Sequence, residues 1–189
     1  MTIARVLVIL MQVLTSQYDN ARTGATSTET VLTPANVNAA QFGKVFSYTV
    51  DGDVYAQPLY LPRVEIPGKG RHDVVFIATE HDSVYAFDAE NRPPEPLWHT
   101  TFLSPGVTTV PAPGARCPFI APEIGITPTP VVDRATGMMY VLARTKEIGA
   151  SGSPRFVQRL HALDVATGAE KPGSTVEIAA SVKGTGAGS

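Results

Sequence analysis

The hydrophobic and polar positions along this chain follow the pattern of a duplicated β-sheet unit. Residues 83–89 read Ser-Val-Tyr-Ala-Phe-Asp-Ala, and residues 159–165 repeat that order as Arg-Leu-His-Ala-Leu-Asp-Val. Each copy ends an apolar strand at an aspartate and then enters a turn. Internal similarity of this kind indicates a repeat architecture, in which small sheets stack on one another.

Further strands precede the repeated motif in each unit. A proline introduces an apolar run at Pro58 and again at Pro130. A second run follows at residues 73–79 in the first unit and at residues 137–143 in the second, both rich in β-branched, aromatic or long apolar side chains. The order of strand, turn and strand therefore recurs along the chain.

The spacing between equivalent positions differs, which indicates that each unit carries an insertion. We place the insertions at residues 62–71 and 145–154, and expect loops there because closing a longer surface loop costs little additional entropy. A third irregular stretch, residues 111–122, connects the two units. We expect it to be a contact surface, because loops of this length are often functional and gather at the mouths of a propeller ring.

The predicted fold is all-β: a partial β-propeller of antiparallel four-stranded blades, with about two enlarged blades, a leading strand and one short helix. The blades lie roughly at residues 45–103 and 125–180, within an incomplete propeller over residues 17–182, before a Gly-rich tail at 183–189. Closed propellers have about four to eight blades. We therefore expect a fragment that exposes strand edges, with the remainder of the propeller supplied by a longer chain or by self-association.

Residues 1–16 leave two interpretations open. Arg5 precedes a short apolar run that ends at Met11, as in a short export signal. No small-x-small cleavage motif follows, so the same run also fits a first strand. The single cysteine, Cys117, does not decide between compartments, because a lone thiol forms no internal disulfide.

The segment before the first unit predicts a helix and then a strand. Residues 32–43 carry Thr33 as a helix N-cap, Pro34 at the first helical position and Gly43 as the stop. Alternation resumes at residues 45–50 and predicts a strand, which the following Asp-Gly-Asp turns. This is the one place where helix signals exceed strand signals.

Composition fits a β-rich globule and excludes some partners. Hydrophobic residues make up 43% of the chain, charged residues 17%, and the net charge is −2. There is no basic field to attract nucleic acid, and no apolar stretch is long enough for a transmembrane span. We therefore expect an unknown protein or a small ligand at the loops as the partner.

Four side chains are candidates for a loop contact with that partner. Glu80, His81 and Asp82 are consecutive and lie between two predicted strands, where a hairpin turn is required. Glu123 directly follows the long connecting stretch. Their alternative roles are turn formation and hydrogen bonding between the sheets. The spacing assigns no catalytic, cofactor-binding or metal-ligating residue.

Several other conspicuous residues have structural explanations. Asp88 and Asp164 each follow the last strand of a unit, so we expect their carboxylates to accept hydrogen bonds from turn N–H groups. Trp98 ends the first unit, where an aromatic side chain would pack between sheets. His161 occupies the position held by Tyr85 in the other copy, which predicts a packing role.

A resemblance to a known family is carried by residues 17–24, 32–37, 54–59, 79–88 and 122–127. These runs resemble the front part of bacterial proteins built from pyrrolo-quinoline-quinone (PQQ)-type propeller repeats. The resemblance implies a propeller like that of the quinoprotein dehydrogenases. Because such proteins are usually exported, it also implies a periplasmic or extracellular location.

Two functions stay open at this point. The first is a non-catalytic propeller fragment that acts as a binding or scaffold module through its loops, in the cell envelope or outside the cell. The alternative is the N-terminal part of a quinoprotein oxidoreductase whose active-site residues lie beyond this chain. The family holds its quinone with a Trp, a disulfide of adjacent cysteines and calcium, and this chain has one cysteine. We therefore expect no cofactor within the chain, with PQQ and calcium only under the alternative.

Overall fold

The chain folds into antiparallel β-sheets, none of which is closed. The computed structural model describes residues 11–27, 29–91, 93–115, 119–149, 152–181 and 183–186. In chain order the strands are β1 (Leu59–Ile66), β2 (Gly70–Ala78), β3 (Ser83–Asp88), β4 (Trp98–Thr101), β5 (Val107–Pro111), β6 (Glu123–Ile124), β7 (Val131–Asp133), β8 (Met138–Ile148), β9 (Pro154–Asp164) and β10 (Val176–Glu177). A 3₁₀ turn at Ala112–Ala115 follows β5. The predicted all-β class is confirmed.

The first sheet has four strands in the order β1-β2-β3-β4. The second has six, and its main path is β10-β9-β8-β5-β6. Strand β7 also pairs with β8, next to its first residues, while β5 pairs further along β8. Strands β7, β8, β9 and β10 therefore repeat the antiparallel succession of the first sheet.

The two sheets also share a register at the repeated motif. In the first sheet Phe76 lies opposite Ala86, and in the second Tyr140 lies opposite Ala162. In each sheet, the segment that follows the motif donates a backbone hydrogen bond of 2.8 Å to the motif alanine, which is Ala86 in the first copy and Ala162 in the second. This segment therefore returns to the same position in both copies. The duplication read from the sequence is thus a duplication of strand pairing.

The sheets pack on each other through opposite faces of the repeat. Phe76 and Ala86 lie on the face of the first sheet that enters the shared core. The second sheet enters that core through Met139 and Leu163, which are one residue away from the Tyr140 row and point to the other face. The Tyr140 face of the second sheet is consequently turned away from the first sheet.

That outward face carries several large apolar side chains. Tyr140 is 38% exposed and Val131, beside it on β7, is 41% exposed. Further exposed apolar residues of the second sheet are Ile148, Phe156 and Val176. We call this surface, on which Tyr140 is central, the Tyr140 face.

The segment before the first sheet covers that sheet's other face. Tyr48 stacks on Phe87 with ring centroids 4.1 Å apart, and its hydroxyl donates to the carbonyl of Asp88. All six residues of β3 are buried, because both of its faces are covered. The strand predicted at residues 45–50 is wrong, since this segment packs through its aromatic rings and pairs with no strand.

The helix predicted at residues 32–43 is also wrong. Two separate turns replace it, in which the N–H of Val37 bonds the carbonyl of Thr33 and the N–H of Phe42 bonds that of Asn38. The side chain of Asn36 bonds the N–H of Thr33, and that of Asn38 bonds the N–H of Ala40. Asparagine side chains that bond nearby backbone groups compete with helix formation.

Both predicted loop insertions extend hairpins instead. β1 continues to Ile66 before a short turn leads into β2, and residues 145–148 pair with residues 154–157 as a continuation of the β8–β9 ladder. The inserted residues form strands and not loops because Val64, Ile66 and Thr145 are buried. Burial of alternating side chains anchors each strand extension in its sheet.

The stretch between the sheets, predicted to be irregular, also contains strands. β5 and β6 pair with each other, and β5 adds to the edge of β8. At the start of the chain, Val13 forms a bridge with Tyr60 of β1, and the carbonyl of Leu14 accepts a hydrogen bond from Val132 of β7. Residues 1–10, Cys117 and residues 187–189 of the predicted tail lie outside the described residues.

Candidate functional site

Three segments meet at one end of the first sheet. They are the turn between β2 and β3, the stretch at residues 51–53 and the residues around β6. The N–H of Glu80 bonds the carbonyl of Asp53 at 2.9 Å, and the N–H of Ile126 bonds the carbonyl of Thr79 at 3.2 Å. These backbone bonds hold the turn between its two neighbours.

A cavity of about 360 Å³ lies between these segments. Its lining residues are Val50, Asp51, Gly52, Asp53, Glu80, Ala121, Pro122 and Glu123. Four of the eight carry carboxyl groups, and none carries a positive charge. We call this cavity the acidic cleft.

Two glycines allow the segments to approach closely. A Cβ atom added to Gly125 would lie 2.4 Å from the carbonyl oxygen of Glu80 and 2.8 Å from Oδ1 of Asp82. A Cβ added to Gly52 would lie 2.9 Å from the backbone nitrogen of His81. A larger residue would force backbone atoms apart at either position, so the site depends on these glycines.

His81 and Glu123 form a pair across the edge of the cleft. His81 Nδ1 lies 2.8 Å from Glu123 Oε1. The other oxygen of Glu123 accepts a hydrogen bond of 2.7 Å from the hydroxyl of Thr109 in β5. Glu123 is therefore oriented by partners on both of its oxygens.

Glu80 is buried and only half satisfied. Its residue exposure is 1%. Oε2 accepts hydrogen bonds from the N–H of Gly125 at 2.8 Å and from the hydroxyl of Thr127 at 3.0 Å. Oε1 has no hydrogen-bond partner. A buried carboxylate oxygen without a partner is costly.

Asp82 is fully buried, and neither of its carboxyl oxygens has a hydrogen-bond partner. The pKa of Asp82 is raised to about 8, mainly by burial and to a smaller extent by the nearby charges of Glu80 and Glu123. The backbone amide of Arg144 acts against this increase without reaching hydrogen-bond geometry with either oxygen. Asp82 therefore holds a proton at neutral pH.

Asp51 anchors the third segment to the turn. Its two carboxylate oxygens accept hydrogen bonds from the hydroxyls of Thr79, at 2.9 Å, and of Ser83, at 2.5 Å. These contacts tie the segment before the first sheet to both ends of the β2–β3 turn. They also fix the position of the cleft wall.

The structure brings the four candidates Glu80, His81, Asp82 and Glu123 together at this end of the fold. Asp51, predicted as a turn residue, and Gly125, for which the sequence predicts no role, also belong to this site. The signal for both was indirect, because each lies in a short polar or glycine-containing break next to an apolar run. Their partners are far away along the chain.

The residues given structural explanations make the expected kinds of contact. Oδ1 of Asp164 accepts hydrogen bonds from the N–H groups of Ala166 and Thr167, both at 2.9 Å, and Asp88 accepts one from the following turn. The indole N–H of Trp98 donates to the carbonyl of Val165, in the second sheet, at 3.0 Å. His161 is buried and stacks on an aromatic ring.

Comparison with protein-family models, with curated proteins and with solved structures finds no match for this chain. Within the described ranges, no three or more His, Cys, Asp and Glu side chains are grouped so as to hold a metal ion. Nor does that part of the chain contain a helix that is long and apolar enough to cross a membrane.

Proposed function

We propose that this chain is part of a β-propeller that acts as a non-catalytic binding or scaffold module through its loops. The observation that carries the proposal is the acidic cleft, where three segments converge and four of the eight lining residues carry carboxyl groups. A rigid stack of sheets with a cavity among its loops is an arrangement that suits ligand binding.

The propeller assignment is supported by the way the two sheets repeat. Each has four successive antiparallel strands with the same register at the motif, and the Phe76 face of one packs on the opposite face of the next. Sheets that pack in this head-to-tail manner present the same face for a further sheet. The Tyr140 face is that surface, and we propose that another sheet of the same repeat covers it, from a longer chain or a second copy.

The alternative of a quinoprotein oxidoreductase finds less support in these residues. Trp98 is 9% exposed, and a Cβ added to Gly168 would lie 2.5 Å from its ring. The ring is therefore occupied between the sheets and has no free face for a quinone. Trp98 therefore does not fit the quinone site, and under the alternative the residues of that site lie beyond this chain.

We propose a location in the cell envelope or outside the cell, which rests on the resemblance to exported repeat proteins. The cell compartment can be tested by fractionation of cells that produce the chain with an epitope tag at its C-terminus. We expect the tagged chain in the periplasm or the medium. Recovery in the cytoplasmic fraction only would contradict this part of the proposal.

Chemical-shift mapping tests the binding function. The isotope-labelled full chain is screened against a library of small ligands of mixed charge. We expect at least one ligand to bind, and its chemical-shift changes to cluster at residues 51–53, 79–82 and 119–127. Ligands that bind only on other surfaces would contradict the role of the loops. Reduction of a dye with alcohols or aldose sugars, on addition of PQQ and calcium, would favour the enzyme.

A further inference from the structure

We propose that the first sheet binds the Tyr140 face of a second copy of this chain, at an apolar cavity on the side of the sheet that carries Phe87. This inference rests on the proposed stacking of repeated sheets, and it names the partner and its binding site. It is carried by the lining of the cavity, by the incomplete burial of the sheet beneath it and by a matching interface within the chain.

The cavity lies between the first sheet and the segment that precedes it, and its volume is about 340 Å³. Val75, Ile77 and Phe87 of the sheet form its floor, and the preceding segment lines it with Phe46, Tyr48 and Val54, among others. None of the described residues that line it carries a charged side chain. We call this cavity the Phe87 pocket. Its lining favours an apolar occupant, because burial of apolar surface drives such association.

The preceding segment covers only part of the sheet face beneath the pocket. Tyr48 stacks on Phe87, which is 1% exposed. Val75 lies opposite Phe87 on the same face, and Val75 and Ile77 both stay partly exposed. A further element that covered these two side chains would remove more apolar surface from water.

The second sheet shows what covers this face when a neighbouring sheet is present. By register, Val75 and Ile77 correspond to Met139 and Val141. Met139 and Val141 are both 0% exposed, because the first sheet packs on them through its core face. The occupant that suits the Phe87 pocket is therefore the same kind of face, presented by another sheet of this repeat.

The chain carries that kind of face on its own surface. Tyr140 holds the register position of Phe76, which lies on the face that covers the second sheet. Tyr140 is 38% exposed, so its face is accessible to a second copy. Complementary surfaces at two different places on one molecule make a heterologous contact, which closes into a ring or extends as a filament. The two exposed faces therefore allow copies of this chain to add head to tail.

The test is sedimentation equilibrium with two variants, one for each half of the contact. Tyr140→Glu places a charge on the Tyr140 face, and Ile77→Glu places a charge in the Phe87 pocket. We expect the original chain to associate beyond two copies as its concentration rises. Each variant alone should associate at least about tenfold more weakly, because burial of an unpaired charge is costly.

An equimolar mixture of the two variants gives the decisive result. Tyr140→Glu keeps an intact pocket and Ile77→Glu keeps an intact Tyr140 face, so the mixture can form one junction and no more. We expect a complex with the mass of two chains, one of each variant. If circular dichroism shows both variants folded and no such complex forms, the inference is overturned.

Two further substitutions guard the test against misfolding and against unspecific effects of charge. Val54→Glu changes a lining residue that is 43% exposed, and it takes the place of Ile77→Glu if that variant does not fold. The matched control is Val45→Glu on the same segment, because Val45 is 88% exposed and does not line the pocket. The control should associate as the original chain does.

The outcomes separate this inference from the proposed function. If the pocket variants associate as strongly as the original chain while Tyr140→Glu does not, the Tyr140 face is covered by something other than the pocket. The inference would then be overturned, and the proposal of a further sheet on the Tyr140 face would stand. An original chain that is monomeric at every concentration would overturn the inference as well. Ligand binding at the acidic cleft is read separately, by chemical-shift mapping, and does not depend on association.

Discussion

His81 Nδ1 lies 2.8 Å from Oε1 of Glu123, although the two residues belong to different sheets. His81 is in the turn between β2 and β3, and Glu123 begins β6, which is linked to the second sheet through β5. The side-chain contact therefore joins the sheets at the edge of the acidic cleft. The contact brings together two of the four candidate residues, His81 and Glu123.

We expect this contact to contribute measurably to stability. In a double-mutant cycle with His81→Ala and Glu123→Ala, the coupling in the free energy of unfolding should be about 0.5–1.5 kcal/mol, the usual range for a hydrogen bond. Urea unfolding of the four proteins measures it. Additive effects of the two substitutions would show that the sheets are held together without this contact.

The raised pKa of Asp82 predicts a pH-dependent stability. The unfolded value of 3.8 lies far below the folded value of about 8, so the folded state holds a proton that the unfolded state releases between these limits. The contribution of Asp82 to the free energy of unfolding therefore falls as pH rises from about 4 to 8. The slope for one such proton is at most about 1.4 kcal/mol per pH unit.

The variant Asp82→Asn isolates this contribution. We expect its stability relative to the original chain to increase as pH rises through that window, in urea unfolding at several pH values. His72, whose pKa is raised by its hydrogen bond to Asp88, loses stabilisation only as pH rises above its unfolded value of 6.5. This pH dependence, which comes from His72, persists in the Asp82→Asn variant. A difference that is constant from pH 5 to 8 would contradict the burial of Asp82.

Gly125→Ala tests the close approach of β6 to the turn. The added Cβ would lie 2.4 Å from the carbonyl oxygen of Glu80, so backbone atoms must move. We expect a loss of about 1–3 kcal/mol in the free energy of unfolding, the range for overpacking. The control is Gly43→Ala, where a Cβ would meet nothing within 4 Å. Equal effects of the two substitutions would contradict the packing of the cleft.

Asp164→Ala tests the turn that ends the second repeat. The carboxylate accepts hydrogen bonds from two backbone N–H groups and from the hydroxyl of Thr167. We expect its removal to lower the free energy of unfolding by about 1 kcal/mol, as for loss of a helix or turn cap. Asp164→Asn keeps an acceptor oxygen and should cost less. Thermal unfolding of both variants gives the comparison.

The sequence predicted the repeat well because strand pairing follows from local patterns. Alternation along the strands around Ala86 and Ala162 fixes which side chains share a face of the sheet, and a shift of one residue would exchange the two faces. The same local reasoning failed at residues 32–43, where Asn36 and Asn38 bond the backbone and favour turns. Helix signals at the ends of a segment do not reveal such competition within it.

The candidate site was predictable from the sequence only in part, through Glu80, His81, Asp82 and Glu123, and its chemistry was not predictable. Glu80, Asp82 and Glu123 stand out as acids at strand ends. Nothing near Asp82 in the sequence shows that it is buried, because the segment that contains Gly125 covers it from a distant part of the chain. The acidic cleft likewise depends on three segments that only the fold brings together.

We propose that the repeated sheets stack head to tail and leave the Tyr140 face for a further sheet. Sedimentation equilibrium of the full chain over a range of concentrations tests it most directly, with the variant Tyr140→Glu for comparison. We predict concentration-dependent association that the glutamate weakens at least about tenfold, because a buried charge at this face is costly. A chain that stays monomeric at every concentration and unfolds in one sharp thermal transition would contradict the claim.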